Sequence, residues 1–226
     1  MIVNEIFFTL QGEGLLAGVP SVFVRLAGCP LRCRWCDTKY AWDDAAGRQY
    51  HIADIVQSVK QWPDRFVVIT GGEPMINPEL PQLVEQLKST GKHITIETAG
   101  IAYIPDMPCD LMSISPKLSN STPQDEQLAA VHEDSRLDMA VLGGLIDHYN
   151  YQLKFVVDGF ADLKEIQQTL EKLPNINFQK VMLMPRAATR DELMAKSVMV
   201  ADMCKTAGFT FCQRLQVLLW NNEKGT

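Results

Sequence analysis

Gly28-Cys29-Pro30-Leu31-Arg32-Cys33-Arg34-Trp35-Cys36-Asp37-Thr38 is the stretch on which the reading of this chain turns. Its three cysteines are spaced C-x3-C-x2-C and follow directly on the apolar run Ser21 to Leu26, which places them in a loop at the C-terminal end of an expected strand. In parallel α/β sheets that end is where functional groups gather. Thiolates are soft ligands, suited to zinc or to iron–sulfur clusters. Three of them on one tight loop can hold three corners of a cubane and leave the fourth iron without a protein ligand. Structural zinc wants four ligands, usually as two pairs. No second CxxC or HxxxH pair is present, although His51 or His93 would be available as a fourth ligand. The other cysteines, Cys109, Cys204 and Cys212, are scattered and read as small buried hydrophobes.

On either side of this loop the chain alternates strand-like and helix-like segments. Strands are expected near Ile2 to Phe8, Ser21 to Leu26, Phe66 to Thr70, His93 to Glu97, Leu111 to Ser115, Gln152 to Val157 and Lys180 to Met184. Several are near-continuous apolar runs, as in strands covered on both faces. Helices are expected over Ile52 to Gln61, Leu80 to Thr90, Ser135 to Tyr149, Asp162 to Leu173 and Arg190 to Ala207, with Gly91 and Gly208 placed as terminators. Pro105 to Pro108 and Lys117 to Gln127 read as loops. The alternation predicts an α/β fold with a parallel sheet. Eight full βα units do not fit, so a partial (βα)6-type, TIM-like barrel with abbreviated helices is expected, with residues 1–226 forming one domain.

Composition bounds the partners. Hydrophobic residues make up 46% and charged residues 21% of the chain, ordinary for a folded globular protein. The net charge of −6 disfavours non-specific attraction to nucleic acid or anionic membrane. The opening MIVNEIFFTLQGEG lacks a basic n-region and carries Glu5 in its apolar part, unlike a signal peptide. No run reaches the ~18 apolar residues of a membrane span. A cytoplasmic location is therefore expected, where thiols stay reduced.

Two further motifs end expected strands. In Ile69-Thr70-Gly71-Gly72-Glu73-Pro74 the glycines allow close backbone approach to a ligand, and Glu73 can accept from an ammonium group. Taken alone it also reads as a plain strand-to-helix turn. Ser113-Ile114-Ser115-Pro116-Lys117 offers a cation at the same rim, though such a stretch is ordinarily just a loop. Met184-Pro185-Arg186-Ala187 occupies the equivalent place after the last barrel strand.

The cysteine spacing, with an aromatic residue before the third cysteine, resembles the radical S-adenosylmethionine (SAM) superfamily. The resemblance implies a 4Fe–4S cluster on Cys29, Cys33 and Cys36, with SAM chelating the open iron and yielding a 5′-deoxyadenosyl radical. Phe8-Thr9-Leu10-Gln11-Gly12-Glu13-Gly14, Trp35-Cys36-Asp37-Thr38 and the Ser-Pro-Lys loop together resemble the 7-carboxy-7-deazaguanine synthases of queuosine and other deazapurine pathways. That family contracts the ring of 6-carboxy-5,6,7,8-tetrahydropterin with loss of ammonia, using SAM catalytically.

Carried onto matching positions, the resemblance implies SAM contacts from Trp35, Cys36, Asp37, Gly72, Glu73, Ser115, Pro116, Lys117, Met184, Pro185, Arg186 and Ala187. Leu10, Gln11, Gly12, Arg25 and Thr70 would meet the pterin, with the Arg25 fork on its carboxylate. Thr38 would be a ligand of a magnesium ion shared with that carboxylate, a hard oxygen donor for a hard cation. A homodimer and an electron donor such as flavodoxin or ferredoxin are implied as well. The chain departs from the family at Gln216, where histidine is expected, and matches less clearly over the helix-poor stretch Ser119 to Val131. Glutamine still donates and accepts hydrogen bonds but does not titrate. Two rivals remain: an activase that installs a glycyl radical on a partner protein, and an iron–sulfur carrier, which would usually supply four cysteines.

Overall fold

The computed structural model describes residues 1–226. One nine-stranded sheet runs through it, in the order β3-β1-β2-β4-β5-β6-β7-β8-β9. Six strands, β2 (Pro20–Leu26), β4 (Phe66–Gly71), β5 (His93–Thr98), β6 (Leu111–Ile114), β7 (Tyr151–Val157) and β8 (Val181–Pro185), pair in parallel, as the alternating pattern predicts. Three further strands complete the sheet. β1 (Ile2–Leu10) runs antiparallel to β2, the two-residue β3 (Arg48–Gln49) lies antiparallel to β1, and β9 (Thr210–Phe211) adds to β8. The expected first strand is thus present but reversed, because the link from β1 to β2 is too short for a parallel crossover.

The helices are α1 (Ile52–Val59), α2 (Leu80–Ser89), α3 (Glu126–Ser135), α4 (Met139–His148), α5 (Ala161–Leu170), α6 (Arg190–Ala207) and α7 (Leu215–Trp220). The helix expected over Ser135 to Tyr149 is α4, which begins only at Met139. Asp138 caps a fresh start by accepting the N–H groups of Ala140 and Val141, and α3 ends just before it. α3 itself occupies the stretch read as helix-poor. Its N-terminus is capped by Asp125, but its one buried residue is His132, so it carries no apolar periodicity to betray it.

Strand alternation divides the interior into two faces. Leu153, Phe155 and Val157 of β7, with Val181 and Leu183 of β8, join the large core beneath the helices. Their neighbours Val156, Met182 and Met184 point to the other face and pack with Cys212. On that inner face Gln11, beyond the end of β1, donates to Glu97 of β5 at 3.2 Å. Three inter-strand steps separate β1 from β5, roughly 14 Å if the sheet were flat. The sheet is therefore curled. The seam between its ends is bridged by the C-terminal segment: Leu215 N–H donates to the Gly12 carbonyl at 2.9 Å, and Gly14 N–H to the Cys212 sulfur at 3.1 Å.

Candidate active site

A cavity of about 500 Å³ fills the concave side, ringed by the loops that follow the parallel strands. Seventeen of the twenty residues singled out in the sequence line it, and Glu73, Pro116 and Pro185 do not. Cys29, Cys33 and Cys36 form one wall and pack with Leu31, Ala99 and Ile101. All three thiols are free. Burial pushes Cys29 up to about 12 and raises Cys33 and Cys36 as well, so thiolates here call for a cationic partner. No three His, Cys, Asp or Glu side chains converge as a single metal ion requires. His51 is exposed ahead of α1, and His93 packs at a tilt against Phe66 at the end of β5 remote from Thr98 and Ala99, which line the cavity. The fourth ligand that zinc would need is thus absent from the wall, whereas three thiols with none to complete them fit a cubane cluster.

The glycine turn meets the cysteine loop because β2 and β4 are parallel neighbours ending in register at Leu26 and Gly71. Gly72 N–H donates to the Leu26 carbonyl at 3.0 Å, and Glu73 N–H to the Gly28 carbonyl at 2.8 Å. Contact is close enough that a Cβ on Gly72 would fall 1.9 Å from the Gly28 oxygen, and Gly71 sits at φ +139°. The backbone of both glycines, with Thr70, faces the cavity. The Glu73 carboxylate does not. It turns inward and accepts from Thr98 Oγ1 (2.6 Å), Ala99 N–H (2.7 Å) and Met75 N–H (3.0 Å). Burial raises its pKa despite those donors.

Lys117 lies beside this turn, donating to the Ser115 carbonyl at 2.8 Å and standing 5.9 Å from the Trp35 ring centroid. The Trp35 indole N–H is held by the Asn120 carbonyl at 3.0 Å. Met184 forms part of the floor, and Arg186 pairs with Asp158 at 2.8 Å. Ala187 lines the wall while its carbonyl accepts from Arg214. Pro116 and Pro185 shape these loops without reaching the cavity.

The opposite wall is polar. Leu10, Gln11 and Gly12 reach it from the end of β1. Lys154 of β7, fully buried, donates to Glu97 at 2.9 Å and to Glu13 at 3.1 Å. Arg214 bridges Glu13 (3.2 Å) and Asp37 (2.5 Å), and the Gln216 amide donates to Glu13 at 2.7 Å. Burial would raise Glu13, but Lys154 and Arg214 outweigh it and hold the carboxyl down at about 2. Burial would likewise lower Lys154, but Glu97 and Glu13 raise it. Gln216 Oε1 is left buried with no partner, facing Gly12. Arg25 is stacked near Phe7 and Tyr40 and bonds Glu5 through Nε at 2.7 Å, which leaves both terminal nitrogens of its fork without a protein partner. Thr38 donates its hydroxyl to Asp37 at 2.6 Å and keeps its oxygen lone pairs.

A sequence profile of the radical SAM superfamily matches residues 24–185. The 7-carboxy-7-deazaguanine synthase of Halobacterium salinarum is 40% identical over 99% of this chain and 92% of its own length. That of Rhodopirellula baltica is 40% identical over 100% of this chain and 89% of its own. The crystal structure of QueE from Escherichia coli superposes with a TM-score of 0.72 at 25% identity, covering 93% of this chain and 92% of that one. The chain belongs to the 7-carboxy-7-deazaguanine synthase family of radical SAM enzymes.

Membership of the 7-carboxy-7-deazaguanine synthase family makes the chain a lyase of queuosine biosynthesis, and the radical SAM superfamily implies a 4Fe–4S cluster and SAM. The expected partial-barrel fold agrees with this family. No helix is long and apolar enough to cross a membrane. What sequence reasoning missed is the charged floor: Glu97, Lys154 and Arg214, together with the role of Glu13. For Glu97 and Lys154 the only signal was a charged residue within an expected strand, and Glu13 and Arg214, outside the strands, had none.

Proposed function

We propose that the chain performs the ring contraction of 6-carboxy-5,6,7,8-tetrahydropterin to 7-carboxy-7-deazaguanine, losing ammonia, with magnesium assisting. The observation that carries this reading is a single cavity with thiols on one wall and an unpaired guanidinium fork beside buried polar groups on the other. Cys29, Cys33 and Cys36 would hold the cluster. When bound there, cluster and SAM supply a carbon-centred radical able to remove a hydrogen atom. The backbone of Gly72 and the side chains of Trp35, Asp37, Ser115 and Lys117 would hold SAM, with Met184, Arg186 and Ala187 completing its pocket. Glu73 would act from beneath, fixing the turn, with Pro116 and Pro185 shaping the loops.

The free fork of Arg25 supports bidentate recognition of the substrate carboxylate. Gln11, the buried Gln216 Oε1 and the carboxylates of Glu13 and Glu97 offer acceptors to the N–H-rich edge of a pterin, with Leu10, Gly12 and Thr70 against its faces. Thr38 would give magnesium one hard oxygen, the rest coming from substrate and water. Magnesium would there orient the carboxylated centre and stabilise charge during rearrangement. The nine strands share one sheet, which supports one domain over residues 1–226. We further propose a cytoplasmic homodimer, reduced by flavodoxin or ferredoxin.

An anaerobic assay of reconstituted protein with reductant, SAM, magnesium and 6-carboxytetrahydropterin tests the proposal. Formation of 7-carboxy-7-deazaguanine by mass spectrometry, abolished in Cys33→Ala, is the expected result. Cleavage of SAM without product would refute the substrate assignment.

A further inference from the structure

Helix α3 buries one side chain, His132, which is 1% exposed, and that ring is aimed at the cysteine loop. The Arg32 backbone N–H donates to His132 Nδ1 at 3.4 Å, and Nε2 lies 2.9 Å from the Ser121 hydroxyl. Ser121 is fully buried, and its carbonyl accepts the Arg34 N–H at 2.8 Å. The peptide N–H groups immediately before and after Cys33's own residue therefore both end on this pair, which is itself joined by a hydrogen bond.

Donor accounting assigns the protons. A peptide N–H can only donate, so Nδ1 is an acceptor and Nε2 carries the ring proton, given to Ser121 Oγ. Such a ring is neutral, in keeping with burial lowering its pKa. Ser121 in turn gives its hydroxyl proton to the Leu118 carbonyl at 2.5 Å, which fixes the ring's partner in place. Neither residue lines the cavity, so neither touches SAM or substrate.

We propose that Ser121 and His132 form a positioning clamp for Cys33, holding both flanks of its loop so that its thiol keeps its place on the cluster. The clamp rests on Cys33 being a cluster ligand, but not on the identity of the substrate.

The test uses the full chain with its cluster reconstituted anaerobically, comparing wild type with Ser121→Ala, His132→Ala and His132→Gln. The rate of iron loss to a chelator is measured, followed through the cluster's absorbance. Ser121→Ala, which takes away the ring's acceptor, is expected to lose iron faster than wild type, though less so than His132→Ala. His132→Ala is expected to lose iron several-fold faster. His132→Gln should recover part of that, because its amide carries both an acceptor and a donor. Alanine variants that merely melt earlier, with iron loss unchanged, would overturn the clamp. Should His132→Ala fail to fold, iron loss from Ser121→Ala, which removes a single oxygen, decides alone. Wild-type protein that takes up no iron would overturn the ligand assignment and the clamp together, whereas loaded wild type with indistinguishable variants overturns the clamp only.

Discussion

Lys154 Nζ donates to Glu97 across 2.9 Å at the floor of the cavity, an ion pair whose cation has no exposure to solvent. The same ammonium reaches Glu13 at 3.1 Å. Removing it would leave the Glu97 carboxylate without its cation and Glu13 with Arg214 alone. Lys154→Met is therefore expected to destabilise the fold by about 3–5 kcal/mol, the usual cost of breaking a buried pair from one side. Urea unfolding measures it, and a loss near zero would mean water already screens the site.

The acid limb of stability should report Glu13. Its folded pKa, about 2, lies below its ordinary 4.5, so the unfolded chain takes the proton first. The contribution is complete above about pH 4.5 and is lost as pH falls towards 2. The difference in unfolding free energy between wild type and Glu13→Gln should be flat at neutral pH and shrink only within that window. A difference that persists unchanged at pH 2 would contradict the assignment.

Glu73 is expected to matter as a scaffold. Its carboxylate serves Thr98, Ala99 and Met75, and the amide of Glu73→Gln can accept through one atom only. A cost of about 1–3 kcal/mol is expected from the donors left unsatisfied. Calorimetric SAM affinity of cluster-loaded protein should fall in parallel, since the Gly72 turn loses its support.

Gly72→Ala should separate the two loops. The added carbon would stand 1.9 Å from the Gly28 oxygen, a backbone atom that cannot swing aside. Iron incorporation is expected to fall sharply. Gly143→Ala in α4, where nothing lies within 4 Å, is the matched control and should be neutral or stabilising by about 0.5–1 kcal/mol. Iron content per chain, with thermal melts, distinguishes the pair.

Arg25→Lys keeps the charge but loses the fork. Under the proposed function KM for the pterin should rise at least tenfold, about 1.4 kcal/mol, while SAM binding stays as in wild type. An unchanged KM would leave Arg25 as the partner of Glu5 alone.

Much of the fold was legible because its signals are local. Apolar runs at β2, β4 and β6 read as buried strands, and the cysteine loop, the glycine turn and the Ser115–Lys117 loop each end one. The reversed β1 was not legible, since antiparallel and parallel strands of this composition look alike. Nor was α3, whose buried residue is a histidine. Gln216 stood as an isolated departure in the sequence. In the fold it donates to Glu13, at the seam where the chain's end returns to Gly12.

By itself the sequence determined the thiol loop and the glycines that let it dock, because both depend on spacing along a few residues. Only the tertiary structure decided that Glu13, Glu97, Lys154 and Arg214 would meet. They come from strands and loops far apart in the chain, and nothing in local spacing records the distance between them. Strand order and the curl of the sheet bring them together, and the buried charges are tolerable there only because each finds its partner.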